Sequence, residues 1–212
     1  MNLRHVCLLL AILIAGDLHA DDFFDLRSAN DVNEGALNFL ADPPATPFHH
    51  HQNRIRLTAD SLASGWVRLE QCHDNLDKVA RAQITFREGF VRDLKVESRS
   101  HIEDAWIEGP SVQLRNVATG ARLCLSAETR ALRNGGSGFY MLHNGPYMRK
   151  FLDGYYPMRV SIDVAYPEAL LALVDITPAA QSGLKVIEEP GAISVDAVFE
   201  GELRTLIQFQ QK

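Results

Sequence analysis

The residues best suited to chemistry are three consecutive histidines, His49-His50-His51. In an extended chain, side chains two apart point the same way, so His49 and His51 share a face. Two imidazoles at that spacing suit a copper or zinc ion, which takes neutral histidine nitrogens readily. A third ligand has to come from elsewhere. The available histidines are His73, His101 and His143, with Glu103 and Asp104 close to His101 in the chain. The competing reading is a polar stretch after a proline-rich arm, with imidazoles that merely titrate near their ordinary value.

Cys72-His73-Asp74 places a thiol, a base and an acid in sequence. Neighbours on a strand face opposite ways, which counts against a working dyad. The chain has three cysteines. Cys7 falls in the leader, leaving Cys72 and Cys124 as an even pair, expected to form a disulfide in an oxidising compartment. Gly136-Ser137-Gly138 lacks the spacing of a hydrolase nucleophile elbow, and neither a phosphate-binding loop nor a dinucleotide fingerprint is present. A hydrolase of envelope polymers with carboxylates on distant strands stays open as an alternative. The aromatic segment from Tyr147 through Tyr155 and Tyr156, with Arg159 just beyond, is the expected binding surface for a protein or glycan partner.

The elements that carry these residues read as strands. Ile55 and Leu57 alternate with arginines, and Val67 and Leu69 with Trp66, Arg68 and Glu70. The same period of two recurs in 82–86, 90–96, 112–115, 122–127, 159–164, 184–187, 193–199 and 203–209. Turn residues separate these runs, and Asn134-Gly135-Gly136-Ser137-Gly138 is the clearest hairpin signal. The pattern predicts an all-β fold, an antiparallel β-sandwich of about ten short strands, with one short helix near 168–174 after Pro167. Charges such as Arg68, Arg115, Arg159 and Asp163 on the outward positions oppose a lipid-facing barrel.

Residues 1–20 have the order of a secretory signal: Arg4, an apolar run from Val6 to Ala15, then Leu18-His19-Ala20 before Asp21. That run is about half of what a spanning helix needs, and no later apolar stretch is longer. The expected organisation is a signal peptide at 1–20, a polar proline-containing arm at 21–53 and a single β-sandwich domain at 54–212. The net charge is −6, with basic residues scattered singly, which excludes a nucleic-acid partner. The sequence therefore favours a periplasmic or secreted protein with a binding or envelope-structural role over an enzyme; it leaves the enzyme question open and names no cofactor. Copper or zinc at His49 and His51 is the alternative.

Overall fold

The structure, a computed structural model, describes residues 35–212, all within the compact unit Asn33–Lys212. The expected signal peptide and the first part of the arm lie outside the described residues. The strands are β1 (Asn38–Phe39), β2 (His50–Arg56), β3 (Val67–Leu76), β4 (Val79–Thr85), β5 (Val91–Glu108), β6 (Ser111–Thr129), β7 (Leu132–Gly136) and β8 (Phe139–Tyr147). After them come β9 (Lys150–Phe151), β10 (Gly154–Tyr155), β11 (Met158–Ala165), β12 (Leu171–Thr177), β13 (Leu184–Glu189), β14 (Ala192–Glu200) and β15 (Leu203–Gln211). The fold is mostly β with two main sheets, consistent with the expected sandwich.

One sheet runs β1-β14-β11-β2-β3-β6-β4, with β13 also on β14 and β5 on β6. The other runs β12-β15-β8-β7, and β9 and β10 form a separate small hairpin. Pairing is antiparallel except between β2 and β11. Strict alternation makes the central strands: in β14 every second residue, from Ile193 to Phe199, is buried, and in β11 so are Met158, Val160, Ile162 and Val164. These side chains, with Leu142, Leu203, Ile207 and Phe209 from the other sheet, form the main core. A second core of Ile102, Val112, Leu114, Val117, Ala121, Leu123 and Leu125 lies along β5 and β6, and Phe86 packs against both.

Three expectations change. The described residues hold one α-helix, α1 (Ala59–Ser64), and it is not at 168–174. There, Glu168–Leu170 make a turn closed by Leu171 N–H donating to Pro167 O at 3.0 Å, and the aliphatic run continues as β12 against β15. Pairing along a sheet overrides the modest helix preference of Ala and Leu. The sheet also begins before residue 54, since β1 and β2 draw residues of the arm into it. Finally, β5 and β6 run 18 and 19 residues rather than a handful. Register shifts between Arg92 and Lys95, Val96 and Ser98, and Ser100 and Ile102 break the period of two and hide the continuity of β5.

Candidate functional site

The register of β2 on β3 sets His51 opposite His73, Asn53 opposite Gln71 and Ile55 opposite Leu69. All six face the core. On the flanking strands the same rows hold Val160 and Ile162 on β11 and Leu123 and Leu125 on β6. The inward face of β2 and β3 is thus apolar at one end and polar at the other, where His49 continues the row. His51, Gln71 and His73 are 7%, 5% and 2% exposed.

The polar layer is a connected hydrogen-bond network. His49 Nε2 and His73 Nδ1 lie 2.9 Å apart, one donating to the other. The Gln71 amide nitrogen donates to His51 Nε2 at 2.8 Å and to His73 Nε2 at 3.0 Å. His51 Nε2 also lies 2.9 Å from Asn53 Oδ1, and Asn53 Nδ2 donates to Tyr147 Oη at 2.6 Å. With a proton, His51 Nε2 serves Asn53; with a lone pair, it serves Gln71. It cannot do both in one tautomer. Gln71 Oε1 is buried without a partner. The rings touch as well, with centroids 4.4 Å apart for His51 and His73 and 5.2 Å for His49 and His73.

Burial governs the charge of this layer. It holds His49 down at about 4 and His51 at about 3, and drives His73 well below its ordinary value. Burial also raises the Tyr147 phenol, against the hydrogen bond from Asn53. All three imidazoles are therefore neutral at pH 7, each with one lone pair. Asp77 and Arg149 are the charged groups that act most on His49. They pair with each other: Arg149 Nη2 and Nε donate to the Asp77 carboxylate at 2.5 and 3.0 Å, and Nη1 donates to Pro157 O at 3.3 Å. The guanidinium also lies over the Phe151 and Tyr156 rings, at the base of the β9–β10 hairpin.

Of the expected metal ligands, then, His49 and His51 come together, and His73 joins them. His101 is exposed on β5, and His143 lies on β8 facing away from its buried neighbours Leu142 and Asn144. Glu103 and Asp104 pair with Arg115. Among the described residues, no set of three or more His, Cys, Asp or Glu side chains is gathered to hold one metal ion. The reason is local: His49 meets the Nδ1 edge of His73, whereas His51 shares Gln71 with the opposite, Nε2 edge.

The expected aromatic surface is corrected. Tyr147 is 6% exposed and part of the main core, and Tyr155 is buried. Tyr156 donates to Asp153, and Arg159 sits on the outward face of β11, paired with Asp196 at 2.9 and 3.0 Å. Strand alternation sends Arg159 away from the core that Tyr147 enters, so the four do not make one surface. Cys72 bonds Cys124 directly across β3 and β6, with Cα atoms 4.1 Å apart. It faces away from His73, and no thiol base pair exists there. His50 also faces outward, its Nε2 2.7 Å from Ser161 Oγ, which donates to Asp196.

Sequence reasoning missed Asn53, Gln71 and Asp77. The first two carried a signal: His49-x-His51-x-Asn53 continues the inward positions of Ile55 and Leu57, and Gln71-x-His73 those of Val67 and Leu69. Polar residues on positions that alternation assigns to the core mark a buried polar layer.

No family model and no curated protein matches the chain. Solved structures similar in backbone include an M1 zinc metallopeptidase from Deinococcus radiodurans (TM-score 0.41, 12% identity). A mutant of it bound to a Tyr-Ser-Ala substrate is similar too (TM-score 0.42, 11% identity). In both cases the match covers 84% of this chain and 43% of the other, less than half its length. The likeness assigns no chemistry to this chain.

Proposed function

We propose that the protein is an exported binding protein that takes a copper or zinc ion at the imidazole layer, with His49 and His73 as its first two ligands. The observation that carries this reading is the 2.9 Å approach of His49 Nε2 to His73 Nδ1, two neutral nitrogens aimed at one another. Zinc bonds imidazole at about 2.0–2.1 Å, so a tetrahedral ion separates its nitrogens by roughly 3.3 Å. The pair has to open by about 0.4 Å, and its rings have to turn so that both lone pairs meet at the ion. The His73 Nδ1 proton moves to Nε2, where Gln71 Oε1 can accept it once the amide turns over. Burying this layer with Gln71 Oε1 left without a partner costs stability, a cost that a binding role accounts for. Export draws support from the signal-like residues 1–20 and from the Cys72–Cys124 bond, which persists outside the cytoplasm. Among the described residues no helix is long and apolar enough to cross a membrane.

The test is calorimetric titration of the chelator-treated full chain with Zn²⁺ and Cu²⁺, beside His49→Gln and His73→Gln. One ion per chain is expected, with at least about tenfold weaker binding in each variant. Equal binding in all three proteins would overturn the reading. The layer would then be structural, in a binding or envelope protein whose partner is a protein or a glycan.

A further inference from the structure

We infer that the cleft between the end of α1 and the start of β7 binds a small anion with an apolar body, its oxyanion held by Arg130 and Arg133. The cleft is separate from the imidazole layer. α1 follows the C-terminal end of β2, whereas His50 and His51 open that strand, so the two lie at opposite ends of β2.

Three parts of the chain build the cleft, and backbone bonds fix them to one another. Leu132 N–H donates to Gly65 O at 3.2 Å, tying the link between β6 and β7 to the residue that closes α1. Arg130 N–H donates to Phe90 O at 3.0 Å, tying the same link to the turn before β5. The volume enclosed is about 370 Å³, room for a small ligand in a site that is already formed.

The lining decides what fits. Leu62, Ala63, Phe90 and Leu132 make an apolar wall, and Tyr140 adds a ring. Among the described residues that line the cleft, Arg130 and Arg133 are the charged ones, with no carboxylate opposing them. Neither guanidinium makes an ion pair or a hydrogen bond among the described residues. The cleft at the β4–β5 turn differs, since Glu88 and Asp93 line it together with Arg92. In a chain of net charge −6, two unopposed guanidiniums at one cleft run against the composition. Arg130 is also positioned: a Cβ on Gly65 would lie 3.5 Å from its Cγ and 3.8 Å from its Nε, so the side chain runs along the helix end.

The neutral polar groups point to the same ligand. Tyr140 is 7% exposed, and its hydroxyl has no hydrogen-bond partner among the described residues. A buried phenol normally has one. The side-chain atoms sealed from solvent without a partner are Gln71 Oε1 and His143 Nε2, so the Tyr140 hydroxyl is within reach of a small molecule in the cleft. Asn134 Oδ1 accepts from Gly136 N–H at 2.8 Å, which leaves its amide nitrogen as a donor. Ser61 and Ser64 are already engaged at the two ends of α1. Donors beside an apolar wall call for acceptor oxygens with negative charge on an apolar body. Guanidinium forks match carboxylate and phosphate oxygens, and carboxylate or phosphate is the shared chemistry of the head group.

The experiment records amide proton–nitrogen spectra of the full chain during addition of phenylpropionate or phenyl phosphate. Phenylpropionamide and inorganic phosphate are the controls for charge and for the apolar body. Shifts are expected at the amides of 62–65 and 130–134 with the two aryl anions, and the tighter of them names the head group. Both controls should bind at least about tenfold more weakly. Arg130→Gln and Arg133→Gln should each weaken binding at least about tenfold, and Tyr140→Phe, which keeps the ring, about threefold. Ala63→Trp fills the cleft and should abolish the shifts. Spectral dispersion establishes that each variant folds. His73→Gln should bind the aryl anions as wild type does, so failure of the metal site and failure of this one are read separately. The assignment is overturned if neither aryl anion shifts these amides, if phenylpropionamide binds as well as phenylpropionate, or if binding survives both arginine substitutions or Ala63→Trp unchanged.

Discussion

His49, His51 and His73 are neutral because burial penalises their charged forms, and that has a consequence for stability whatever they bind. Unfolded, each takes up a proton near 6.5; folded, His49 does so only near 4 and His51 near 3. Below pH 6.5 the unfolded chain therefore holds more protons than the folded one, and stability falls as pH falls. Above that value the term is constant. Each such histidine contributes a slope of up to about 1.4 kcal/mol per pH unit between its two values. His49 alone, from 6.5 to about 4, removes about 3 kcal/mol in full. Urea unfolding from pH 7 down to pH 4.5 should show this decline. His51→Gln, which removes one titrating ring, should flatten it by about one histidine's share. An equal slope in both proteins would mean that His51 is not buried neutral.

The same alternation that made the strands legible explains what was not. Ile193 to Phe199 and Met158 to Val164 announce their buried faces because each second residue is apolar, and the sheet holds them as expected. His51, Asn53, Gln71 and His73 obey the same period but break the rule of composition, so they read as surface. Asp77 and Arg149 sit in turns, where no period assigns direction, and only the tertiary structure brings them together. The helix was hidden for another reason. Six residues are too few for a 3.6-residue period to appear, and α1 is set by its ends instead. Thr58 N–H donates to Ser61 Oγ at 3.0 Å, and Gly65 closes the helix with φ of 79°. A Cβ at Gly65 would lie 2.7 Å from Leu132 O. Gly65→Ala should therefore destabilise the fold by at least about 1–2 kcal/mol, the cost of the left-handed conformation alone, measured as a lower urea midpoint at unchanged slope. A neutral result would show that the turn into β3 has room that the contact denies.

At the scale of the molecule the long strand β6 joins two unequal cores. Its second half, residues 121–129, pairs with β3 and belongs to the sheet that carries the main core; its first half, residues 111–117, pairs with β4. Both halves also carry β5. The smaller core therefore rests on one side of a sheet that the β12-β15-β8-β7 layer does not pair with, and Phe86 is a packing link to the rest. Such an arrangement favours local opening of the smaller part at lower free energy than global unfolding. The Cys72–Cys124 bond lies in the β3–β6 ladder, between Leu123 and Leu125 of the smaller core. It spans 52 residues, which in the chain-entropy model amounts to about 4 kcal/mol. It encloses all of β4, β5 and β6 up to Cys124, so it constrains every buried residue of the smaller core but Leu125 in the unfolded ensemble. Hydrogen exchange tests this division. Amides of 112–117 should exchange at a lower free energy than those of 160–164 in the oxidised protein. Cys72→Ser with Cys124→Ser should widen that gap while leaving 160–164 limited by global unfolding. Equal protection of the two segments in both proteins would mean that the cores open as one cooperative unit.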